Sequence, residues 1–360
     1  MLQKHLISGA VKIQNSLPQK FDLTAKLMRV KLTNIVLFGC KDTTLHTARF
    51  LKELKLNIHL VTISPKVAAD NQVAGYEDLT NSSSLFKTIY FAKSYSLKSE
   101  DIIEIKKIKN IKLGFCIGWQ RLIPSDLLNA FGVGVFGMHG SARDLPFGKG
   151  RSPMNWALIE GRKFFHTNLF KYDVGVDNGP ILDSKTFSIN EADTAETLHY
   201  KNTLSMCNLI KSNFQNLVSG NFQTRAQSLV DGESFYPKRS PADGSIDWRD
   251  DIYNIERLIR AVAKPFDGAF SIIKQEKIII ERAAVFYTDI ENHPFKDANF
   301  GKILDVFPNH KFLVRCSGGV LLIHKYNGST PSVGSCFEVT SSPFEKNERN
   351  VYGFFDIPKA

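Results

Sequence analysis

Short apolar runs alternate with segments of helical periodicity along the first 220 residues of the chain. The first run, Asn34–Gly39, is apolar and β-branched and ends at a glycine, which predicts a buried strand. A helix is predicted from about Thr43, because hydrophobic residues then recur at every third position, at Leu45, Ala48, Leu51 and Leu54. Asn57–Ile63 is a second apolar run. Such a strand–helix–strand unit predicts a parallel sheet with a right-handed crossover.

The same alternation continues toward the middle of the chain. Four further apolar runs predict strands at Thr88–Phe91, Leu113–Ile117, Val133–Met138 and Thr167–Tyr172. Helices are predicted after a capping Ser99, after Ser152 with proline at the first helical position, and over Thr194–Val218 with Gly220 as its stop. We therefore expect residues 34–220 to form one doubly wound, Rossmann-like α/β domain with a parallel sheet.

The pattern changes after residue 220 to short strands separated by turns. These strands are predicted at Gly268–Ile273, Lys277–Val285, Gly301–Val306, Phe312–Cys316 and Val320–Ile323, with one helix at Ile252–Val262. Five strands and one helix suit a small OB-like β-barrel. The predicted division is an N-terminal extension (1–33), the α/β domain (34–220), a linker (221–235), the barrel (236–330) and a C-terminal tail (331–360).

Charge and cysteine content narrow the class of protein. The 360 residues carry 46 basic and 36 acidic side chains, a net charge of +10, which favours anionic partners such as nucleic acids, nucleotide-sugars or folates. No apolar run approaches the ~20 residues of a membrane span. The five cysteines are scattered and lack metal-ligand spacing. We therefore expect a reduced, cytoplasmic protein without a membrane partner or a structural metal.

The turn after the first strand argues against a dinucleotide cofactor. Gly39 is followed by Cys40-Lys41-Asp42-Thr43-Thr44, without the second and third glycines that let a backbone approach a pyrophosphate closely. NAD or FAD binding is therefore not expected.

Candidate chemistry concentrates between residues 133 and 180. His139 follows a predicted buried strand, and Asp177 lies in a turn after the next strand. Ligands of open α/β sheets bind beyond the carboxyl ends of strands, so this pair is a plausible proton-transfer couple. The residues alone leave a structural role open, because Asp-Asn-Gly-Pro is a good turn in its own right.

Read together, these segments resemble the folate-dependent formyltransferase family. That family carries Asn-x-His at a strand end and a later Asp in a Leu-Asp-x-Gly turn, which His139 and Asp177 match. The string Tyr236–Trp248 is similar to the C-terminal barrel of methionyl-tRNA and polymyxin-resistance sugar formyltransferases. The resemblance spans about residues 34–325. One departure is Gly137, which stands where the family has the asparagine that binds the formyl oxygen.

Within the family, the sequence favours a sugar N-formyltransferase. Methionyl-tRNA formyltransferases usually have Gly-Thr-Pro after the first strand and a basic insertion after the second, whereas Ser64–Ser84 is poor in basic residues. Gly118–Pro124 and Ser152–Trp156 look more like the sugar enzymes of O-antigen and surface-glycan pathways. The alternatives are the tRNA enzyme and a nucleic-acid-binding protein that uses the barrel. A homodimer is compatible with each of these candidate functions.

The resemblance implies a donor, an acceptor and a set of site residues. The donor is 10-formyltetrahydrofolate, and the acceptor is the amine of a nucleotide-linked amino sugar, such as a 4-amino-4,6-dideoxyhexose. His139 and Asp177 are the expected proton-transfer residues, and His139 is also expected to hydrogen-bond the formyl oxygen. Asn168 is the expected substitute for the missing asparagine. The folate-binding residues are expected to be Trp119, Gln120, Arg121, Leu122, Ile123 and Asp173. The substrate-binding residues are expected to be Lys149, Arg151, Asn155 and the backbone of Gly137, with the two basic side chains cradling a diphosphate.

Overall fold

A computed structural model describes residues 34–228 and 232–339 of the chain. The predicted N-terminal extension (1–33) and the part of the predicted tail beyond residue 339 lie outside these residues. Within the described residues, no helix is both long enough and apolar enough to cross a membrane.

The first domain is built on a seven-stranded sheet. The strands are β1 (Asn34–Phe38), β2 (Asn57–Ile63), β3 (Thr88–Ala92), β4 (Leu113–Cys116), β5 (Gly134–Ser141), β7 (Phe164–Lys171) and β8 (Ile181–Ser188), in the order β3-β2-β1-β4-β5-β7-β8. Strands β1 to β5 run parallel, β7 runs antiparallel to both of its neighbours, and the edge strand β8 runs in the same direction as β1 to β5. The doubly wound α/β fold with a mostly parallel sheet is confirmed. The reversed direction of β7 was not predicted, and neither was β8, whose residues are largely polar and half exposed.

Helices cover both faces of this sheet. They are α1 (Asp42–Glu53), α2 (Pro65–Asp70), α3 (Ser99–Lys106), α4 (Ser125–Leu128), α5 (Pro153–Ile159) and α6 (Ala195–Ser219), with a 3₁₀ segment at Leu79–Leu85. On one face, α1 and α6 pack on Leu37, Phe115 and Phe136; on the other, α3 and α4 pack near Phe38 and Val135. Successive residues of a strand point to opposite faces, so Val135, Gly137 and His139 share the second face.

Two predicted helix starts differ from the structure. Ser99 is the first helical residue rather than the cap, because the Asp101 carboxylate accepts hydrogen bonds from the Lys98 and Lys93 backbone N–H groups. Ser152 does precede α5, but its backbone is left-handed (φ 55°) and its side chain makes no capping hydrogen bond. The sequence located both helices correctly, whereas the capping contacts depended on neighbouring loops.

The second domain is a five-stranded antiparallel sheet in the order β10-β11-β14-β13-β12. The strands are β10 (Ala269–Ile273), β11 (Glu276–Tyr287), β12 (Ile303–Val306), β13 (Phe312–Cys316) and β14 (Gly319–Asn327), and helix α7 (Ile252–Ala261) packs on them. A 3₁₀ segment at Pro241–Gly244 precedes α7. The two remaining strands, β6 (Lys149–Gly150) and β9 (Phe235–Tyr236), pair in parallel outside both sheets.

The segment after β14 joins the two edges of this second sheet. The Phe337 N–H donates to Gly301 O (2.9 Å) beside β12, and the Glu338 N–H donates to Ile272 O (2.8 Å) of β10. The Phe337 side chain is buried in the domain core. The sheet therefore closes into a small barrel, and this domain extends beyond the boundary predicted at residue 330.

Candidate active site

His139 lies inside strand β5 rather than after its end. Pairing of β5 with its parallel neighbour β4 stops at Gly137, but antiparallel pairing with β7 continues and places His139 opposite Asn168. The antiparallel strand β7 therefore extends β5 by several residues beyond the prediction. His139 is consequently held by a regular sheet on one side and lies beyond the carboxyl end of β4 on the other.

Both ring nitrogens of His139 have partners within the chain. Nδ1 lies 3.3 Å from Asp177 Oδ2, and Nε2 lies 2.8 Å from the carbonyl oxygen of Gly148. A carbonyl oxygen only accepts hydrogen bonds, so Nε2 carries a proton. Nδ1 is then the nitrogen that faces the Asp177 carboxylate and can exchange a proton with it. An imidazole and a carboxylate placed in this way can take up and return the proton of an attacking amine.

The turn that carries Asp177 is fixed by contacts from outside it. Asp177 has a left-handed backbone (φ 51°), and the Gln227 side-chain amide donates to the carbonyl oxygens of Asp177 (2.7 Å) and Gly179 (2.8 Å). The His139 side chain is 8% exposed and that of Asp177 18% exposed, so the carboxylate is the more accessible of the two groups. The structure thus brings together the two residues that the sequence singled out.

Gly137 has no space for a side chain because Tyr172 occupies it. A Cβ atom at Gly137 would lie 1.9 Å from Tyr172 Cε1 and 2.7 Å from the Tyr172 hydroxyl oxygen. The Tyr172 ring stacks on Phe170, with centroids 5.2 Å apart, and its backbone N–H donates to Val135 O (2.8 Å). Tyr172 therefore crosses the face of β5 next to His139.

Asn168 is completely buried beside His139. Its Oδ1 accepts a hydrogen bond from the Ser184 hydroxyl, and its Nδ2 has no partner among the residues that the structure describes. Residues directly opposite each other in an antiparallel pair project to the same face, so the Asn168 amide adjoins the imidazole. Its assignment as a hydrogen-bond donor to the formyl oxygen stays a prediction.

The two basic residues of the predicted diphosphate cradle have different environments. Lys149 is buried, and its Nζ lies 2.7 Å from Glu233 Oε2 and 2.6 Å from Asn178 Oδ1. Its charge is therefore already compensated inside the protein. Arg151 is exposed. Burial lowers the pKa of Lys41, and the nearby positive charge of Arg151 lowers it further. Arg151 and Lys41, rather than Lys149, present positive charge near the end of β1.

Asn155 is engaged with the second domain. Its Nδ2 donates to the carbonyl oxygen of Ala261 (2.6 Å) at the end of α7, and its side chain is buried. The neighbouring Trp156 indole donates to Pro237 O (3.0 Å). Helix α5 thus uses these residues to bind the second domain, and a contact between Asn155 and substrate stays a prediction.

The predicted folate segment forms a small aromatic cluster after β4. Trp119 packs edge-on against Tyr95, with centroids 4.7 Å apart, and the guanidinium of Arg121 lies 4.8 Å from the Tyr95 ring centroid. The Gln120 backbone N–H donates to the Tyr95 hydroxyl (2.9 Å). Trp119 and Ile123 are buried, whereas Leu122 is 53% exposed. Leu122 is therefore the apolar side chain of this segment that a ligand can reach.

The second predicted folate segment is the loop that ends at Asp177. Asp173 is exposed and accepts a hydrogen bond from the Val174 N–H (2.7 Å), while Val174 and Val176 are 71% and 46% exposed. Burial raises the pKa of Cys116 at the end of β4, and the charge of Asp177 also raises it. The loop therefore lies close to β4. Both segments thus present apolar side chains near the same part of the sheet.

Several site residues gave no signal in the sequence. Gly148, Gln227 and Glu233 act through backbone or long-range contacts that no local pattern reveals. Tyr172 could have been found, because strand alternation places it on the same face as Asn168. Among residues 34–228 and 232–339, no three histidine, cysteine or acidic side chains are grouped as a metal site would require.

Comparisons with known proteins identify the family. A formyl transferase model matches residues 33–205, and the model of the formyl transferase C-terminal domain matches residues 238–330. The bifunctional polymyxin resistance protein ArnA of Wigglesworthia glossinidia brevipalpis is 32% identical over 190 residues, which are 53% of this chain and 28% of ArnA. The chain therefore spans less than a third of that relative.

Solved structures share the fold at low sequence identity. An N-formyltransferase from Helicobacter canadensis, in complex with folinic acid and dTDP-3-aminofucose, has a TM-score of 0.60 at 16% identity over 82% of this chain and all of that one. A variant of HypX from Aquifex aeolicus has a TM-score of 0.59 at 14% identity, covering 82% of this chain and 46% of HypX. With both domain models matched in order and the histidine–aspartate pair assembled, the chain belongs to the formyl transferase family.

Proposed function

We propose that this protein transfers a formyl group from 10-formyltetrahydrofolate to the amine of a nucleotide-linked amino sugar. The observation that carries the proposal is the His139–Asp177 pair, 3.3 Å apart, inside a formyl transferase domain. Formyl transfer needs a group that takes the proton of the attacking amine, and this pair supplies it. The proposed product serves the synthesis of a surface glycan, with a 4-amino-4,6-dideoxyhexose as the expected sugar.

The proposed proton path follows from the contacts of the pair. A neutral amine attacks the formyl carbon, the new C–N bond forms, and the bond from that carbon to the folate nitrogen breaks. Asp177, as the more exposed group, accepts the ammonium proton. His139 keeps the carboxylate in place and shares the proton with it through Nδ1, and Asp177 returns a proton to the departing nitrogen. The Gly148 carbonyl holds the imidazole by its other nitrogen, so the ring orientation is set before substrate binds.

The surroundings of the pair suit a flat, partly apolar donor. Leu122, Val174 and Val176 are exposed apolar side chains on the two loops beside β4. Trp119 has an indole N–H without a hydrogen-bond partner among the described residues, at the buried edge of the aromatic cluster. A ligand with a ring system and polar edges is the kind that such side chains would contact. The formyl-folate donor supplies the activated one-carbon group when it is bound there.

A nucleotide-linked sugar is favoured over tRNA as the acceptor. The chain is 32% identical to ArnA over 190 residues, and a structure of the same fold was determined with dTDP-3-aminofucose. Arg151 is exposed and lies near Lys41, so two cations are available to a diphosphate beside the end of β1. We expect Arg151→Ala to raise KM for the nucleotide-sugar about tenfold, since one charge-assisted hydrogen bond is lost.

The decisive experiment compares acceptors. The purified chain is incubated with 10-formyltetrahydrofolate and either a panel of UDP-, dTDP- and GDP-linked amino sugars or methionyl-tRNA, and formylated products are identified by mass spectrometry. We expect formylation of an amino sugar nucleotide by the wild type and none by His139→Ala. Formylation of methionyl-tRNA alone would establish the tRNA enzyme instead. Salt-dependent tRNA binding without any transfer would establish a nucleic-acid-binding protein.

A further inference from the structure

Negative charge develops on the formyl oxygen during transfer, and the site needs a hydrogen-bond donor for it. Losing one such donor typically costs about 10²–10³ in rate. His139 is not free for this task, because Nδ1 faces Asp177 and Nε2 donates to Gly148 O. Gly137 contributes no side chain. The donor must therefore come from another residue on the same face of the sheet.

The Tyr172 hydroxyl lies about as far from Gly137 as a side-chain amide at that position would. It is 2.7 Å from the Cβ position of Gly137. From standard bond lengths, the amide nitrogen of an asparagine lies about 2.4 Å from its own Cβ. The two distances from Cβ therefore differ by only a few tenths of an ångström. The Tyr172 ring also occupies the space that any side chain at Gly137 would need.

Two neighbours hold the Tyr172 ring in this position. Phe170 stacks on it at an interplanar angle of 25°, and the phenol oxygen lies against the buried thiol of Cys116. Burial raises the pKa of Cys116 to about 12, so the thiol keeps its proton, and the phenol O–H is the donor to its sulfur. Because a thiol sulfur is a weak acceptor, the phenolic hydrogen can turn to a stronger acceptor such as a formyl oxygen.

Tyr172 stays a neutral donor on the face of the sheet that carries His139. Burial, followed by the neighbouring Cys116 and Asp177, raises the pKa of the Tyr172 phenol well above its usual value. The residue as a whole is half-buried, whereas Asn168 has no exposed surface. An O–H that keeps its proton is what a developing oxyanion requires.

We propose that the Tyr172 hydroxyl donates a hydrogen bond to the formyl oxygen and takes the place of a side-chain amide at position 137. The assignment rests on the proposed formyl transfer. It makes Tyr172 a catalytic residue, with Phe170 and Cys116 as positioning residues. Asn168 then has the lesser role of packing against His139 and bonding to Ser184.

The first test is Tyr172→Phe, which removes the hydroxyl and keeps the ring over Gly137. We expect kcat to fall about 10²–10³-fold, with little change in KM and with an unchanged thermal unfolding midpoint. Tyr90→Phe is the matched control, because its hydroxyl bonds to Asp101 far from the site, at 2.9 Å. That variant should turn over at the wild-type rate. A larger loss in Asn168→Ala than in Tyr172→Phe would overturn the assignment.

A second readout does not depend on turnover. Calorimetry measures binding of a stable formylated folate analogue, 10-formyl-5,8-dideazafolate, and of the same compound without its formyl group. Tyr172→Phe should weaken binding of the formylated analogue by about 3- to 10-fold, the value of one neutral hydrogen bond, and leave the other compound unaffected. Equal weakening of both compounds would show a packing defect and would contradict the proposal.

The outcomes separate this proposal from the proposed function. If the wild type formylates no acceptor and binds neither analogue, the proposed function fails and the role of Tyr172 fails with it. If the wild type is active and Tyr172→Phe matches it in rate and in analogue binding, the role of Tyr172 alone is refuted. A double variant, Gly137→Asn with Tyr172→Ala, should recover part of the rate that Tyr172→Ala loses, because the space for an amide is then open.

Discussion

Replacing Asp177 by asparagine tests the central pair with the smallest possible change of shape. The amide is isosteric with the carboxylate and can still accept a hydrogen bond from His139 Nδ1, now 3.3 Å away. What is lost is the negative charge and the ability to accept the ammonium proton. We therefore expect Asp177→Asn to fold normally, since the Gln227 contacts to the turn involve only backbone oxygens.

The expected loss can be estimated from the geometry. Two opposite unit charges 3.3 Å apart attract by about 5 kcal/mol at an effective dielectric constant of about 20. Because the Asp177 side chain is 18% exposed, solvent screens part of this attraction. Half of it corresponds to about 100-fold in rate, so kcat should fall about 10²–10³-fold, within the range for general acid–base catalysis.

The assay is steady-state formyl transfer with the acceptor identified for the wild type, together with thermal unfolding of each variant. His139→Ala should show a comparable loss of kcat. Asp42→Asn is the matched control, because Asp42 Oδ2 forms a similar pair with His199 Nε2 (2.6 Å) between helices α1 and α6. That control should retain the wild-type kcat at saturating substrate. An Asp177→Asn enzyme within a few-fold of the wild-type kcat would refute the assignment of the pair.

Three further predictions follow from buried contacts. Asn155→Ala should lower the free energy of unfolding by about 1–3 kcal/mol, because the carbonyl of Ala261 loses its partner. The same variant should leave kcat unchanged. Denaturant unfolding measures the stability, and steady-state kinetics measure kcat. Glu233→Gln should destabilise the protein by about 3 kcal/mol by leaving the Lys149 charge buried, and an unchanged stability with a raised KM would instead assign Lys149 to substrate binding. Burial raises the pKa of the Cys116 thiol to about 12, so the thiol should resist iodoacetamide at neutral pH and react only near that pH or after unfolding. Mass spectrometry of the labelled peptide measures this, and rapid labelling of the native protein would contradict it.

Local periodicity determined most of the elements and the identity of the pair. The apolar runs at Asn34–Phe38 and Asn57–Ile63 are buried on both faces, so their composition alone predicted central strands. His139 and Asp177 were found because motif residues keep their spacing whatever surrounds them. These features depend on neighbours a few positions away, which the sequence displays directly.

The reversal of β7 and the closure of the barrel depended on contacts between distant segments. The pattern of Phe164–Lys171 is compatible with either strand direction, and only its pairing with β5 decided the matter. Phe337 lies far along the chain from Ile272 and Gly301, yet its segment joins both edges of the second sheet. Hydrogen bonds of this kind form wherever two backbones meet, so the side chains of one segment do not specify the partner.

The roles of individual polar residues were decided by burial, which is a property of the tertiary structure. Lys149 in a glycine-rich loop has the sequence signature of a solvated cation, but the fold buries it against Glu233. Tyr172 follows a strand, a position that is often exposed. Because Gly137 has no side chain, the Tyr172 ring can cross β5 on the face of the sheet that carries His139. The sequence by itself determined which elements form and which residues carry the chemistry. The tertiary structure decided which polar groups are paired and which remain free, because desolvation and charge compensation depend on segments far apart in the chain.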